Sequence, residues 1–350
     1  MGMTGDLKQF ARWDILLTRE AVAAGAPLRQ LGRALNAQGW NRVVRGAWAA
    51  PGCELTPWVK ARAVQILHPG LTFSHRGAAS LHLIELLREA VEFSDPESPT
   101  GSRHGFAVHR TPVAPEEMCA RHGLRATTPL RTLRDLLLCG PRDEALVAVD
   151  SALGARVVGG ARRPRLVTTD LLTAACASHP TRRHRAPRAA GWLALADPQS
   201  GSPAETVARL RMHDAGLRPL SQAQLLTPAG RTIRADFLFL REGVVVEIEG
   251  YAYHGTRGAH RRDLDRFNAL STCPGVRTVL RFPATTVFRT PDRMIQDIRT
   301  ALAGPSGRRE RTDANFGHIG RPCVPDIPTT GSPCGAGGGG GDGVEGAGIC

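Results

Sequence analysis

Alternating apolar and polar residues in the last third of the chain predict a β-hairpin. The segments 233–240 and 244–249 are rich in β-branched and aromatic residues, and Arg241-Glu242-Gly243 lies between them. Two such runs joined by a short polar segment with a glycine are typical of antiparallel strands. We therefore expect a hairpin that ends near Glu249.

A second pattern, near the N-terminus, predicts two short helices followed by a hairpin. Thr18 is placed to cap the first helix, Gly25 makes the turn, and residues 27–35 repeat their apolar residues at helical spacing. Residues 40–51 then form a hairpin around Gly46. This arrangement favours a winged helix-turn-helix with its second helix in the major groove of DNA, although such helix pairs also serve as scaffold. The candidate DNA contacts are Arg29, Arg33, Arg42 and Arg45.

The chemistry of the C-terminal hairpin lies in its carboxylates. Glu247 and Glu249 are two residues apart, so they share one face of a strand. A two-residue loop at 241–242 would put Asp236 opposite Glu247 on that face, whereas a three-residue loop would turn it to the other side. We predict the first. Like charges about 4 Å apart repel by roughly 4 kcal/mol at an effective dielectric near 20, so this cluster needs a cation or a proton.

Magnesium is the simplest cation for such a cluster. It prefers oxygen ligands, keeps several waters, activates one of them and neutralises charge on a phosphodiester. His254, five residues after Glu249, is placed to transfer a proton during such a reaction. The alternative is that acidic residues at the end of a hairpin are simply solvated.

A series of motifs in the same region carries a family resemblance. In order along the chain they are Ser202-Pro-Ala-Glu205, Gly216-Leu-Arg-Pro219, Gln222, Arg234-Ala-Asp236, Val246-Glu-Ile-Glu-Gly250, Tyr253-His254, Asp263, Arg266, Leu270 and Val279-Leu-Arg-Phe282. Over residues 200–303 the chain resembles the very-short-patch-repair-like endonuclease domain of actinobacterial proteins, which has the PD-(D/E)xK restriction-endonuclease-like fold.

This resemblance implies a mixed sheet flanked by helices, with Mg²⁺ or Mn²⁺ as cofactor. It implies metal ligation by Asp236, helped by Glu247, Glu249 or the carbonyl of Ile248, and a catalytic role for His254. The chain departs from the family at two points. Glu249 stands where relatives more often have aspartate, and the lysine of the general pattern is absent.

Further polar positions in this region have two interpretations each. Ser202 and Glu205 match the N-cap and third positions of a capping box, while the resemblance puts Glu205 close to the metal cluster as a secondary catalytic residue. Asp263 and Arg266 lie three apart on one helix face. They form an intrahelical ion pair, or Arg266 contacts DNA phosphate and the pair orients His254.

The N-terminal half carries a second resemblance. Its motifs are Phe73-Ser-His75, Ala78-Ala-Ser-Leu-His82, Val108-His-Arg110 and Thr127-Thr-Pro-Leu-Arg-Thr132 with Asp135. With the helix pair they resemble, over residues 10–155, the winged-helix and following domain of AbiEi-type abortive-infection antitoxins. The resemblance implies DNA as a partner, with a toxin partner or a homodimer besides. We expect His75, His82 and His109 to be buried or hydrogen-bonded structural residues.

Composition narrows the function class. The chain has 350 residues and a formal net charge of +13, which favours a polyanionic partner, nucleic acid above all. No apolar run is long enough to span a bilayer and no leader precedes the helix pair, so we expect a cytoplasmic protein with no membrane contact. Phosphate-binding GK[ST] and HExxH motifs are absent, so nucleotide hydrolysis and zincin chemistry have no support in the sequence.

Together these patterns predict a mixed α/β protein with five segments. They are a winged-helix DNA-binding domain (1–52), an α/β middle domain (53–155), an arginine-rich helical linker (156–199), the endonuclease-like domain (200–303) and a disordered Gly/Pro-rich tail (304–350). The arginines of the linker are either a solvated face or a contact with the DNA backbone. Two functions follow: a metal-dependent endonuclease, or an antitoxin-like regulator whose nuclease fold binds DNA without cleaving it.

Overall fold

The computed structural model of the chain describes residues 7–97, 101–103, 105–180, 182–250 and 257–304, in which helices alternate with separate β-sheets. This mixed α/β architecture agrees with the predicted fold class. The predicted tail beyond Gly304 lies outside the described residues.

The N-terminal elements are two helices and a hairpin, with one strand before them. They are β1 (Ile15–Leu17), α1 (Thr18–Ala23), α2 (Leu28–Ala37), β2 (Asn41–Val44) and β3 (Ala47–Ala49), and the sheet order is β1–β3–β2. Leu31 and Leu35 of α2 pack with Trp48 in a local core. The predicted Thr18 cap is wrong: Leu17 is the N-cap residue, and Thr18 Oγ1 accepts a hydrogen bond from Trp48 Nε1 at 3.1 Å. The hydroxyl is occupied because the N–H of a buried indole requires an acceptor.

The middle of the chain forms a larger mixed sheet, ordered β6–β7–β5–β4–β9–β8. Its elements are α3 (Pro57–Leu67), β4 (Thr72–Phe73), α4 (His75–Leu81), β5 (Glu92–Ser94), β6 (Gly101–Arg103), β7 (Phe106–His109), β8 (Met118–Arg121) and β9 (Leu124–Thr127). Phe73 and Phe93 share one apolar core with Ile15 and Val44 of the N-terminal sheet. Burial is therefore continuous across the boundary predicted at residue 52.

Helices follow the middle sheet and extend into the predicted linker. These elements are α5 (Pro129–Cys139), α6 (Arg142–Leu153), β10 (Arg156–Val158), β11 (Ala161–Arg163), α7 (Thr169–Ala177) and α8 (Ala186–Leu193). Helices α7 and α8 lie within the segment that was predicted as a helical linker. Leu172 and Leu193 join a core with Leu133 and Val149, and the Arg163 guanidinium is buried against backbone carbonyls. The segment thus contributes to packing as well as to charge.

The C-terminal elements form a mixed sheet with helices on both faces. They are α9 (Pro203–Asp214), β12 (Leu220–Leu226), β13 (Thr232–Phe239), β14 (Val244–Glu249), α10 (Arg257–Ser271), β15 (Thr278–Pro283), α11 (Ala284–Arg289) and α12 (Pro291–Ala303). The order is β12–β13–β14–β15, in which only the β14–β15 pairing is parallel. One face packs on α9, α11 and α12 around Phe237 and Val246, and the other packs on Leu270 of α10. The predicted hairpin is confirmed as β13 and β14.

Helix α6 packs against α9 and so joins the middle helices to the C-terminal sheet. Val147 of α6 belongs to the core that contains Val207 of α9, and Arg209 Nη2 lies 2.6 Å from Asp150 Oδ2. No helix within the described ranges has both the length and the apolar character needed to cross a membrane.

Candidate active site

The register of the hairpin brings two acidic residues together, as predicted. Phe237 pairs with Val246, so the next position places Asp236 opposite Glu247. Backbone hydrogen bonds tie the two side chains: the Asp236 N–H donates to Glu247 Oε1 at 2.9 Å, and the Ile248 N–H donates to Asp236 Oδ2 at 2.8 Å. The carboxylates are therefore held by the sheet itself.

Glu205 joins this pair from helix α9, and of the predicted capping box only the Ser202 half is formed, because the Glu205 carboxylate reaches Gly201 and not the Ser202 N–H. Ser202 is the N-cap, and its Oγ accepts from the Glu205 N–H at 3.2 Å. The Glu205 carboxylate accepts from the Gly201 N–H at 2.7 Å and from Gln222 Nε2 at 2.7 Å. The same Gln222 amide donates to Asp236 Oδ1 at 3.3 Å. Capping thus fixes the start of α9 while Glu205 stays linked to the acidic pair.

Gln222 is a site residue to which the sequence analysis assigned no role. It lies on β12 directly opposite Asp236, because its neighbours Ser221 and Ala223 pair with Phe237 and Ala235. Its φ of 51° lies in the left-handed region, which is uncommon outside glycine and costs about 1 kcal/mol or more. Such strain persists where the surroundings hold it, here through the two carboxylates that the amide bridges.

Three carboxyl groups of this cluster are perturbed in the same direction. Burial and then repulsion from Asp236 raise the pKa of Glu205 to about 7. Burial also raises the pKa of Asp236, and burial together with the charge of Asp236 raises the pKa of Glu247. Burial is the first cause of all three shifts, and at Glu205 and Glu247 repulsion from Asp236 adds to it, as expected of carboxylates placed side by side.

Each of the two strand glutamates has its own arginine. Arg266 of α10 donates to Glu247 Oε2 at 2.7 and 3.0 Å and to the backbone carbonyl of Arg234 at 2.7 Å. Glu249 instead lies 2.7 Å from Arg281 Nε on the neighbouring parallel strand. Arg266 thus neutralises part of the predicted metal-ligand set.

Two predicted residues lie outside what the structure describes. They are His254 and the side chain of Asp263. The proton-transfer role of His254 and the Asp263–Arg266 ion pair therefore stay predictions.

The chemistry of the donors fits Mg²⁺ or Mn²⁺, since carboxylate oxygens are the ligands these ions prefer. Their arrangement is less open: within the described residues, no group of three Asp, Glu, His or Cys side chains could hold a metal ion. A cation at Glu247 would have to compete with Arg266. Ile248 meets the cluster through its backbone N–H, and the ligand role of its carbonyl stays a prediction.

A basic cleft of about 450 Å³ lies beside Arg266, between β13 and α10. Arg231 and Arg234 line it with exposed guanidinium groups, and Asp265 is its acidic lining residue. Exposed arginines next to buried carboxylates match the needs of a phosphodiester, which must be held by its charged oxygens near an acidic centre.

The predicted DNA contacts of the N-terminal region are all on the surface. Arg29 and Arg33 lie on α2, Arg42 lies on β2 and Arg45 follows it, and all four are exposed. Within the described part of the chain none of the four takes part in an ion pair. Their positive charge is thus open to an external anion.

Comparison with protein-family models gives no match for this chain, and comparison with curated proteins gives none either. The two family resemblances stay expectations from the sequence. The function is therefore inferred from the geometry of the site.

Proposed function

We propose that this protein is a DNA-binding, metal-dependent endonuclease that hydrolyses phosphodiester bonds, with an N-terminal winged helix and a C-terminal restriction-endonuclease-like domain. The observation that carries the proposal is the joining of Asp236, Glu247 and Glu205 through Gln222 and backbone N–H groups. Buried carboxyls with raised pKa values, next to a basic cleft, are characteristic of functional sites because burying unneutralised charge costs stability.

In this proposal Asp236 and Glu247 would hold Mg²⁺ or Mn²⁺ together with water, and Glu249 would join them on leaving Arg281. When bound, the ion supplies an activated water and neutralises charge that develops on the phosphate. Arg231 and Arg234 hold the phosphates of the strand in the basic cleft.

Proton transfer has two candidates in the proposal. Glu205 exchanges a proton near neutral pH because its pKa is about 7. His254 is the other candidate and is implied by the family resemblance alone. Both are general acid or base candidates, so each requires its own variant.

DNA recognition is proposed for the N-terminal region. Helix α2 would enter the major groove with Arg29 and Arg33, while Arg42 and Arg45 of the hairpin contact phosphates. Because these contacts are electrostatic, replacing all four arginines by alanine should weaken binding and flatten its dependence on salt.

A second candidate function is favoured by one specific contact. Arg266 already neutralises Glu247, which is the arrangement expected if the acidic cluster has lost its cation. The protein would then be an AbiEi-type antitoxin-like regulator whose nuclease fold binds DNA without cleaving it, together with a toxin partner or as a homodimer.

A cleavage assay separates the two candidates. The full chain is incubated with mismatched, branched and single-stranded DNAs in Mg²⁺ or Mn²⁺, beside His254→Ala, Glu205→Gln and the control Asp292→Asn, an exposed acid on α12. We expect cleavage by the wild type and the control, and a loss of about 10²- to 10⁴-fold for the variant that lacks the proton-transfer group. Binding of a defined promoter with no cleavage of any DNA would leave the regulator as the function.

A further inference from the structure

A second basic cleft, far along the sequence from the acidic site, is built around Trp13. This Trp13 cleft has a volume of about 350 Å³ and lies among α1, α3 and the β8–β9 hairpin. Its lining residues are Arg12, Trp13, Arg19, Glu20, Arg62, Gln65, Ile66, Pro69, Gly123 and Arg125. The volume is in the range of small-ligand clefts, roughly 300–1,000 Å³.

The charge of the Trp13 cleft calls for an anion. Four arginines line it, and none of them forms an ion pair within the described residues. Two are held in place by backbone carbonyls: Arg62 Nη2 donates to His122 O at 3.0 Å, and Arg125 Nη2 donates to Leu71 O at 3.1 Å. These contacts fix the guanidinium groups without neutralising them, which prepares them for phosphate.

Trp13 adds an aromatic surface to the cleft, and the turn that carries it is strained. Arg12 and Ile15 exchange two backbone hydrogen bonds of 2.9 and 3.0 Å, which makes Trp13 and Asp14 the central pair of a tight turn. Both have positive φ, 50° and 64°, in a turn that normally takes Asn-Gly. The turn nevertheless presents a tryptophan that is 51% exposed. A strained backbone that keeps a large aromatic ring exposed indicates a binding site for a ligand.

The ring is also positioned by its neighbours. A Cβ at Gly123 would lie 3.2 Å from the Trp13 indole, so the ring packs closely against the β8–β9 hairpin at this glycine. The guanidinium carbons of Arg12 and Arg62 lie 5.9 and 5.5 Å from the ring centroid. An aromatic face and fixed positive charge thus share one open cleft.

We propose that the Trp13 cleft binds an unpaired nucleotide of a nucleic-acid strand, with the base stacked on Trp13 and the phosphate between Arg62 and Arg125. Stacking platforms combined with basic grooves are how proteins hold single strands without reading their sequence. Arg19 and Arg12 extend the charge beyond one phosphate, which favours a strand over a free nucleotide. The inference rests on the proposed function only for the identity of the strand as DNA.

Binding is measured by fluorescence polarisation with the full chain in EDTA, which prevents cleavage. The probes are a short fluorescein-labelled oligothymidylate, a blunt duplex of the same length and thymidine 5′-monophosphate as competitor. Trp13→Ala should weaken oligothymidylate binding about 5- to 150-fold and duplex binding less than twofold, since a stacked base is lost and backbone contacts are kept. Phe288→Ala, which removes a similarly exposed aromatic ring of α11, is the matched control and should bind like the wild type.

A second variant keeps the turn intact. Arg62→Gln with Arg125→Gln should lower the slope of log affinity against log salt by about 0.7 for each lost phosphate contact. The proposal is overturned if the wild type and Trp13→Ala bind oligothymidylate with equal affinity. It is also overturned if Trp13→Ala weakens duplex binding as much as oligothymidylate binding. Displacement by the mononucleotide as effectively as by the oligonucleotide would make the ligand a free nucleotide and overturn the strand assignment.

The two proposals fail separately. Cleavage that is absent while oligothymidylate binding depends on Trp13 would contradict the endonuclease and support the cleft. Cleavage that depends on Asp236 while Trp13→Ala changes nothing would do the reverse.

Discussion

Two buried polar clusters of this molecule differ in how their charge is matched. In the middle sheet, Glu92 accepts hydrogen bonds from Arg76 at 2.8, 2.9 and 3.2 Å and lies 3.5 Å from His109 Nε2. Although burial alone would raise it, these contacts hold the pKa of Glu92 below its usual range. In the C-terminal sheet, Asp236, Glu247 and Glu205 have raised pKa values.

The difference separates a cluster whose charge is matched by its neighbours from one whose carboxyl groups are buried with less compensation. A carboxylate that its neighbours stabilise as an anion strengthens the native state, and removing its charge weakens the protein. Carboxylates that repel one another weaken the native state until a cation or a proton joins them. The neighbours of Glu92 account for its charge, whereas the proposed cation would supply the compensation that the Asp236 cluster lacks.

The largest expected effect separates activity from stability at Asp236. Asp236→Asn keeps an oxygen to accept from the Ile248 N–H but removes a negative charge from the cluster. We expect cleavage to fall by about 10²- to 10³-fold while the free energy of unfolding changes by less than about 1 kcal/mol. Single-turnover cleavage and urea unfolding measure the two quantities. A large loss of stability would make Asp236 a structural residue.

At Glu92 we expect the opposite result, a large effect on stability and none on cleavage. Glu92→Gln leaves Arg76 without its main partner, so we expect the free energy of unfolding to fall by about 3 kcal/mol with cleavage by the folded protein unchanged. Urea titration at neutral pH tests this against Glu116→Gln, an exposed glutamate that should change stability by less than about 0.5 kcal/mol. Equal effects of the two substitutions would remove the contrast between the clusters.

Local signals predicted the elements that carry the site. The β13–β14 hairpin, its register and the Ser202 cap of α9 follow from patterns within a few residues, although residues 240–243 make a four-residue connection and not the predicted two-residue loop. The prediction that Thr18 caps α1 is wrong because its hydroxyl accepts a hydrogen bond from the indole of Trp48, thirty residues away. Such a contact leaves no trace in the local pattern.

The parts of the site that the sequence did not predict depend on distant pairing. Gln222 reaches Asp236 only through the β12–β13 register, and Arg281 reaches Glu249 only because β15 adds in parallel after α10. The sequence offered two partners for Arg266, Asp263 or a DNA phosphate. In the structure the main contact of Arg266 is Glu247. Helical periodicity predicts which face of α10 carries Arg266. It does not predict which strand packs against that face.

A pH effect tests the middle cluster further. The pKa of His75 is lowered to about 4, through burial first and the nearby charges of His109 and Arg131 next, against the opposing charges of Asp135 and Glu92. The unfolded chain binds this proton below about pH 6.5 while the native chain does not. Stability therefore falls as the pH drops from about 6.5 to 4, by up to roughly 3 kcal/mol.

Replacing His75 isolates that contribution. His75→Asn removes the titrating ring and suits a residue with φ of 49°. The difference in unfolding free energy between wild type and His75→Asn should narrow as the pH falls over this interval. A difference that stays constant from pH 7 to 4 would mean that the pKa of His75 is not lowered in the native state.

The smallest expected effect concerns Glu205. Its raised pKa means that the native state holds a proton that the unfolded chain releases above about pH 4.5, so native stability is lost as the pH rises from 4.5 through 7. In EDTA at pH 8, Glu205→Gln should therefore stabilise the protein by about 1 kcal/mol, and the gain should vanish at pH 4. Thermal melts at the two pH values decide this, and destabilisation at pH 8 would contradict it.

Titration calorimetry of Mn²⁺ and Mg²⁺ into the full chain at pH 8 tests the central claim most directly, because the account requires a cation at the Asp236 cluster. We predict saturable binding by the wild type and by the control Asp292→Asn, and none by Asp236→Asn. At a metal concentration of 100 times Kd, binding should raise the free energy of unfolding by about 2.7 kcal/mol relative to EDTA. No binding heat and identical melts with metal and with EDTA would contradict the account.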